Sequence, residues 1–301
     1  MSSGVPGWLW IVLTLIAAAA QTARNAMQKG LTQSLGTVGA THVRFLFGLP
    51  FALLSLAAIL LVTRAPVPAM SPAFIGWVVL GAFAQIAATA LMLAAMRLKS
   101  FVVATAYVKT EAIQVALFAL IFLGERLSPL AIAAIVIATA GVWLMSWPRA
   151  GSAGGNGPPA LLGLAAGAMF AISAVGFKGA IIMLGGDSFV VAATVTLVCG
   201  LVLQSASMMI WQWYRNRSAV REMLAAWRPS LLAGFMGALA SQMWFLAFAI
   251  ASTAHVRTLG MVEILFAQAL SRQLFAQSSS RRELAGIALI VIGTLALINA
   301  G

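Results

Sequence analysis

Acid is what this sequence most lacks. Its 301 residues hold six Asp and Glu together, only one of them an aspartate (Asp187), against 18 Lys and Arg. Two histidines and one cysteine complete a short inventory of metal-binding groups. The lone Cys199 excludes a disulfide framework or a Cys-based zinc site, and the scarcity of His and Asp argues against any other metal centre. No cofactor is expected. A membrane-embedded transferase works through acidic metal ligands or a catalytic histidine, so the chain reads as something other than an enzyme. Charged residues make up only 8% of the chain and hydrophobic ones 62%, with a mean hydropathy of +1.02. A soluble domain of that balance would be covered by one continuous apolar patch. The formal charge of +12 would point to nucleic acid in a soluble chain. Here most Arg and Lys lie in short segments between apolar runs, where they set topology, and no nucleic-acid partner is expected.

What the sequence does have is apolar runs of about 20 residues, the length a bilayer core requires. Dividing the chain at Pro, Gly and charged clusters predicts ten spans, at 8–29, 39–62, 72–96, 101–123, 128–147, 160–183, 188–212, 230–250, 254–276 and 282–300. The opening "MSSGVPGWLW" lacks the basic segment of a secretory signal, so the first run reads as a retained helix. The linker-like "RAGSAGGNGPPA" lies at the midpoint. It divides the chain into a five-helix unit at 1–148, a linker at 149–159 and a second five-helix unit at 160–301. At an offset of 152, Glu111 meets Glu263, Gly141 meets Gly293, Phe83 meets Phe235 and Ser100 meets Ser252. At an offset of 149, "QKGL" from Gln28 meets "FKGA" from Phe177. Five spans per half is an odd number, so the halves run in opposite directions. The expected fold is an all-α polytopic membrane protein of ten transmembrane helices in two inverted five-helix repeats. That architecture is common among secondary transporters, whose substrate site lies near the midplane between the halves. The distribution of Arg and Lys places both termini outside the cytoplasm.

Polar side chains inside the apolar runs are the candidates for function. Gln21, Asn25 and Gln28 form a stripe on the first helix with Arg24 at its edge, which would be costly against lipid. On the third helix Gln85, Thr89, Met92 and Met96 share a face, and on the eighth Gly237, Ser241, Trp244 and Phe248 do. The Met and aromatic positions also fit plain packing. In the fourth, Tyr107, Glu111 and Gln114 share a face, while Lys109 points about 200° away from Tyr107 on an ideal helix. The candidate substrate-binding set is Gln21, Arg24, Asn25, Gln28, Gln85, Tyr107, Lys109, Gln114 and Trp244. Glu111 and Glu263, with Arg44 and Arg257, form a structural ion-pair set or a proton-coupling one, because burial and a neighbouring cation pull on a carboxyl in opposite directions. Lys29 and Lys178 lie near helix ends, where a lysine can snorkel to the interface or take part in substrate binding. His42 and His255 read as interfacial histidines with satisfied rings. Cations outnumber acids in the spans, which suits a ligand bearing carboxylate or phosphate.

The stretch "VVATAYVKTEAIQVALFALIFLGERLSPLAIAAIVIATAGVWLM" resembles the end of an EamA-type repeat: an early glutamate (Glu111), a Gly124-Glu125-Arg126 turn and a Gly-containing last helix (Gly141). The second half repeats Glu263 and Gly293 but has Ala276-Gln277 at the turn, and Ala112 and Ile264 stand where the family often has proline. The resemblance is to the drug/metabolite transporter superfamily and its ten-helix EamA-type exporters. It implies a multi-pass protein of the bacterial inner membrane, with cytoplasmic termini, that exports amino acids or related metabolites by alternating access. Protons are a further candidate partner, the alternative for the two glutamates being a structural ion pair. The other partners implied are a small-molecule substrate and the lipid bilayer, with the chain a monomer or homodimer. Phosphorylated or nucleotide-linked metabolites, and drugs, are the alternative substrates.

Overall fold

The computed structural model describes residues 5–99, 101–146, 157–275 and 281–299. Those residues are helical almost throughout. In chain order the helices are α1 (Leu9–Leu46), α2 (Leu49–Thr63), α3 (Pro72–Leu98), α4 (Phe101–Val108), α5 (Glu111–Leu123) and α6 (Pro129–Ser146). The second half holds α7 (Gly157–Leu184), α8 (Phe189–Arg215), α9 (Arg217–Ala225), α10 (Trp227–Ile250), α11 (Thr253–Leu259), α12 (Glu263–Phe275) and α13 (Arg281–Ile298). Six stretches among the described residues are long and apolar enough to cross a membrane, and α6 and α13 hold shorter apolar helices. One of the six, Leu9–Thr63, runs for 55 residues, about 80 Å of helix at 1.5 Å per residue, or more than twice a bilayer core. The protein is an all-α polytopic membrane protein.

Helical regions coincide with all ten predicted spans, but their internal punctuation differs. The first two predicted spans share α1, which Gly36 breaks with φ 66° and ψ 178°, a backbone that side chains with a Cβ rarely adopt. Gln28 Nε2 donates to the carbonyl of Ala40 across that break, at 2.8 Å. The fourth and ninth spans, predicted as unbroken helices, are each split. α4 ends at Val108 and α5 begins at Glu111; α11 passes through a 3₁₀ turn, Gly260–Val262, into α12 at Glu263. The segment after α8, predicted as a charged loop, contains α9. Asn216 caps it by accepting from the amides of Ser218 and Ala219. Val220 and Met223 are buried beneath it, while Arg217, Arg221 and Glu222 face outward. Its polar residues hid a one-sided helix.

Other boundaries follow ordinary capping. Ser71, Ser188 and Ser252 accept from amides three residues on, which satisfies donors left over at helix starts. Gly124 ends α5 in the left-handed conformation at φ 67°.

Small residues let the helices close on one another. A Cβ on Gly176 of α7 would lie 2.8 Å from Cα of Gly81 on α3, and one on Gly234 of α10 would lie 2.4 Å from the backbone of Phe47. Where α6 crosses α13, a Cβ on Gly141 would lie 2.6 Å from the carbonyl oxygen of Gly286, and one on Gly293 would lie 2.7 Å from the amide of Ala138. Association inside a bilayer depends on such backbone approach, because lipid supplies no hydrophobic drive between helices. Outward faces are apolar, with Leu54, Leu61, Val62, Ile121 and Phe122 exposed, and Trp211, Trp213, Tyr214 and Trp227 cluster at one set of helix ends. Such aromatic residues belong at the bilayer boundary.

Candidate functional site

The breaks in the fourth and ninth spans deliver two glutamates to one place. Glu111 is the first residue of α5 and Glu263 the first of α12. A carboxylate there meets the unpaired amides and positive end of a helix. Both side chains are about 1% exposed. Lys109 joins them: its Nζ lies 2.7 Å from Glu263 Oε2 and 3.3 Å from Glu111 Oε1. On a continuous helix Lys109 and Glu111 would point about 200° apart. They meet because the chain tightens between α4 and α5, where the Lys109 amide donates to both Thr105 and Ala106 carbonyls and that of Thr110 to Tyr107. Tyr107 turns to α7, where a Cβ on Gly163 would lie 2.4 Å from its own Cβ.

Arg257 of α11 continues the network. Its Nη1 lies 3.6 Å from Glu111 Oε1, and its guanidinium carbon sits 4.6 Å above the ring of Trp244 and 5.3 Å from that of Phe248. The two rings stack at 6.2 Å with 22° between their planes, so the cation rests on an aromatic floor. Gly260 makes room for it: a Cβ there would come within 2.6 Å of Trp244 Cη2. On the other edge Trp244 Nε1 donates to Gln21 Oε1 at 2.9 Å. A continuous path of contacts runs from Gln21 through Trp244, Arg257, Glu111 and Lys109 to Glu263, linking α1, α10, α11, α5 and α12.

Two more arginines adjoin it. Arg24 is fully buried, and its Nη2 and Nε donate to Asn25 Oδ1 at 2.6 and 3.2 Å. Arg44 donates from Nη1 to Thr89 Oγ1 at 2.9 Å. Both line Gly237 of α10, whose Cβ would lie 3.2 Å from Arg24 Cδ and 3.4 Å from Arg44 Cγ. The charges of Arg24, Arg44, Arg257 and Glu263 act on one another. Gln85 sits one turn before Thr89 and accepts from Gln204 Nε2 at 2.9 Å. Atoms capable of further bonding remain inside: Arg24 Nη1, Arg257 Nε and Glu263 Oε1 are buried without a hydrogen-bond partner.

Of the predicted residues, Gln21, Arg24, Lys109, Glu111, Trp244, Arg257 and Glu263 are thus brought together, with Asn25, Arg44 and Gln85 beside them. Gln28 is committed to the α1 break. Tyr107 packs on α7, and Gln114 Oε1 is buried with no partner. Several residues join from outside the prediction. Gln204 pairs with Gln85; Glu125 of the Gly-Glu-Arg turn accepts from the amide and hydroxyl of Thr253 at 2.8 and 3.0 Å. Lys178 does not snorkel but donates to the carbonyls of Phe248 and Ala251 at the end of α10. His42, expected at an interface, is instead fully buried, with Gln212 and Ser205 as its polar neighbours. His255 accords better, with Nδ1 2.6 Å from Ser252 Oγ. The side chain of Arg272 and the linker residues 149–156 lie outside the described residues.

Comparison with known proteins agrees with this architecture. Residues 8–147 match the model of the EamA-like transporter family. A solved crystal structure aligns with a TM-score of 0.66 at 18% identity, covering 95% of this chain and 95% of its own; at that identity the likeness speaks for the fold. No curated protein matches the sequence. The first half of the chain is thus similar to the EamA-like transporter family, and the fold over the whole chain is that of a polytopic helical membrane protein.

Proposed function

We propose that the protein is a secondary transporter that exports amino acids or related small carboxylate-bearing metabolites across the bacterial inner membrane by alternating access. Its moving parts are two inverted five-helix halves, 1–148 and 160–301, joined by 149–159. The observation that carries this reading is the buried charge network, which draws on both halves and sits where they meet. The packing supports the repeat. α1 lies against α10 as α3 lies against α7, so exchanging the halves maps each pair onto the other, and α6 against α13 maps onto itself. The breaks before Glu111 and Glu263 also fall at one repeat position. Broken helices around a central site are a recurring means of exposing backbone and charge to substrate.

Within this reading Arg257 on its aromatic floor receives the substrate carboxylate, Trp244 and Phe248 the apolar part, and Gln21 the remaining polar groups. Glu263, with one oxygen free, is the group through which a proton is coupled. The surplus of cations favours, as second reading, a phosphate-bearing metabolite. Protein reconstituted into liposomes is expected to move at least one member of a panel of amino acids and small organic anions, with flux lost in Arg257→Gln. Absence of flux for every member, with and without a pH gradient, refutes the proposal.

A further inference from the structure

The network is not electrically balanced. Lys109, Arg24, Arg44 and Arg257 are all buried, and among the described side chains only two carboxylates, Glu111 and Glu263, are buried with them. Four cations face two anions, an excess of two positive charges. The chain has few acids left to offset it. Of the other acids whose side chains are described, Asp187 and Glu222 are exposed, and Glu125 is held by Thr253 while its charge acts on Lys178. Arginine keeps its charge in any protein environment, so three of the four cations do not relax by losing protons, and Lys109 is held between both carboxylates. Nor are the arginines spent on each other's anions. Among the described residues Arg24 hydrogen-bonds the neutral Asn25 side chain and Arg44 the neutral Thr89 hydroxyl, while Arg24 Nη1 and Arg257 Nε are unpartnered.

We propose that the central site is matched to a small organic dianion, one of whose anionic groups is held by Arg257 above Trp244 and the other by Arg24 on α1. The proposal rests on the transporter reading above and narrows its substrate class. A zwitterionic amino acid leaves the excess at two and a monoanion leaves it at one. Only a ligand with two negative charges renders the network neutral, and a buried network is most stable when every charge in it is matched. Two anionic groups also use both orphaned guanidinium edges, in the charge-assisted geometry arginine favours. A dicarboxylate and a phosphate monoester share that chemistry.

The test is a ligand titration of the thermal unfolding midpoint of the purified full chain in detergent. Probes are succinate, glycerol 3-phosphate, lactate and alanine, with Arg24→Gln and Arg24→Lys beside the native protein. A ligand that binds only the folded state raises the midpoint by mass action. Succinate or glycerol 3-phosphate is expected to act at concentrations at least about tenfold below lactate or alanine, a difference of about 1.4 kcal/mol. The arm that responds distinguishes carboxylate from phosphate. Arg24→Gln lowers the excess to one, so the preference for the dianion should fall to near parity with lactate. Arg24→Lys keeps the charge and should retain the preference, which a purely structural role for Arg24 would not predict. Equal action of alanine or lactate on the native protein, an undiminished preference in Arg24→Gln, or no response to either dianion overturns the proposal. Liposome flux of any member of the broader panel separates the two readings: amino acid flux without dianion preference sinks the dianion and leaves the transporter.

Discussion

Replacing Lys109 with methionine is the sharpest perturbation of the charge network, because one ammonium serves two carboxylates. At 2.7 and 3.3 Å and an effective dielectric of about 20, the two attractions come to about 6 and about 5 kcal/mol before desolvation. Desolvation costs several kcal/mol for each of the three ions, so the intact triad contributes little net stability. Breaking it is different. Without Lys109, Glu111 keeps Arg257 at 3.6 Å, whereas Glu263 has no other cation within 4 Å among the described residues. An orphaned buried charge costs about 3–5 kcal/mol. Its one escape is to take up a proton, which at pH 7 costs about 3.7 kcal/mol for an ordinary glutamate and at pH 5 about 1 kcal/mol. The deficit of Lys109→Met is therefore expected to be about 3–4 kcal/mol at pH 7 and to shrink toward about 1 kcal/mol at pH 5. Glu263→Gln leaves the Lys109–Glu111 contact and should cost less, about 1–2 kcal/mol, and Lys109→Met/Glu263→Gln should recover part of the loss of Lys109→Met alone. Equilibrium unfolding in mixed detergent, followed by tryptophan fluorescence at both pH values, measures all three. A Lys109→Met deficit that does not change with pH, or strict additivity in the double variant, refutes the reasoning.

Other expectations follow from backbone proximity and from the caps. Gly141→Ala and Gly293→Ala place a Cβ 2.6 and 2.7 Å from backbone atoms of the facing helix; each should cost about 1–3 kcal/mol, while Gly76→Ala, with nothing within 4 Å, should be neutral or slightly stabilising in the same assay. Gly124→Ala has open space but a φ of +67°, so it should lose about 1 kcal/mol from conformational strain alone. Gly260→Ala pushes on the far edge of the Trp244 ring at 2.6 Å. It should reduce liposome flux severalfold, and a fall in tryptophan quenching by substrate would locate the effect at that ring. Lys178→Met removes the donor to the Phe248 and Ala251 carbonyls and is expected to cost about 1–2 kcal/mol, which unfolding in detergent would register.

Much of the fold was legible because a bilayer enforces it. A run of about 20 apolar residues has few alternatives to a helix, and the predicted positions of the ten helical regions follow from that constraint. The candidate residues were legible for a related reason: Arg24, Asn25, Lys109, Glu111 and Glu263 are too costly to face lipid and so must face each other. What periodicity hid was the punctuation. Extending α4 through Lys109 at 100° per residue set Lys109 against Glu111, when a tightened turn at that point brings them to 3.3 Å. The triplet Lys109-Thr110-Glu111 and the repeat-related Met261-Val262-Glu263 carry no proline to announce a break. α9 was missed because its buried side rests on two residues, Val220 and Met223, amid arginines that read as a loop. His42 was misplaced because nearness to a predicted span end says nothing about a helix packed over that end.

The network is asymmetric between the two halves of the chain. At an offset of 152, Lys109 corresponds to Met261, and the two positions occupy equivalent breaks just before equivalent glutamates. Met261 is fully buried in a cluster with Ala106, Ala112, Ile264 and Ile290, so its side of the junction is apolar. A second lysine there would raise the excess from two to three and leave an ammonium with no carboxylate of its own, since Lys109 already lies against both. One lysine between two glutamates instead ties α12 of the second half to the α4–α5 break of the first with a single ion, while Arg257, left with one long contact to Glu111, stays available to a ligand. Two carboxylates stand at two helix starts. Their coupling to the rest of the site depends on positions where the halves differ in charge, Lys109 against Met261 and Arg257 against Thr105.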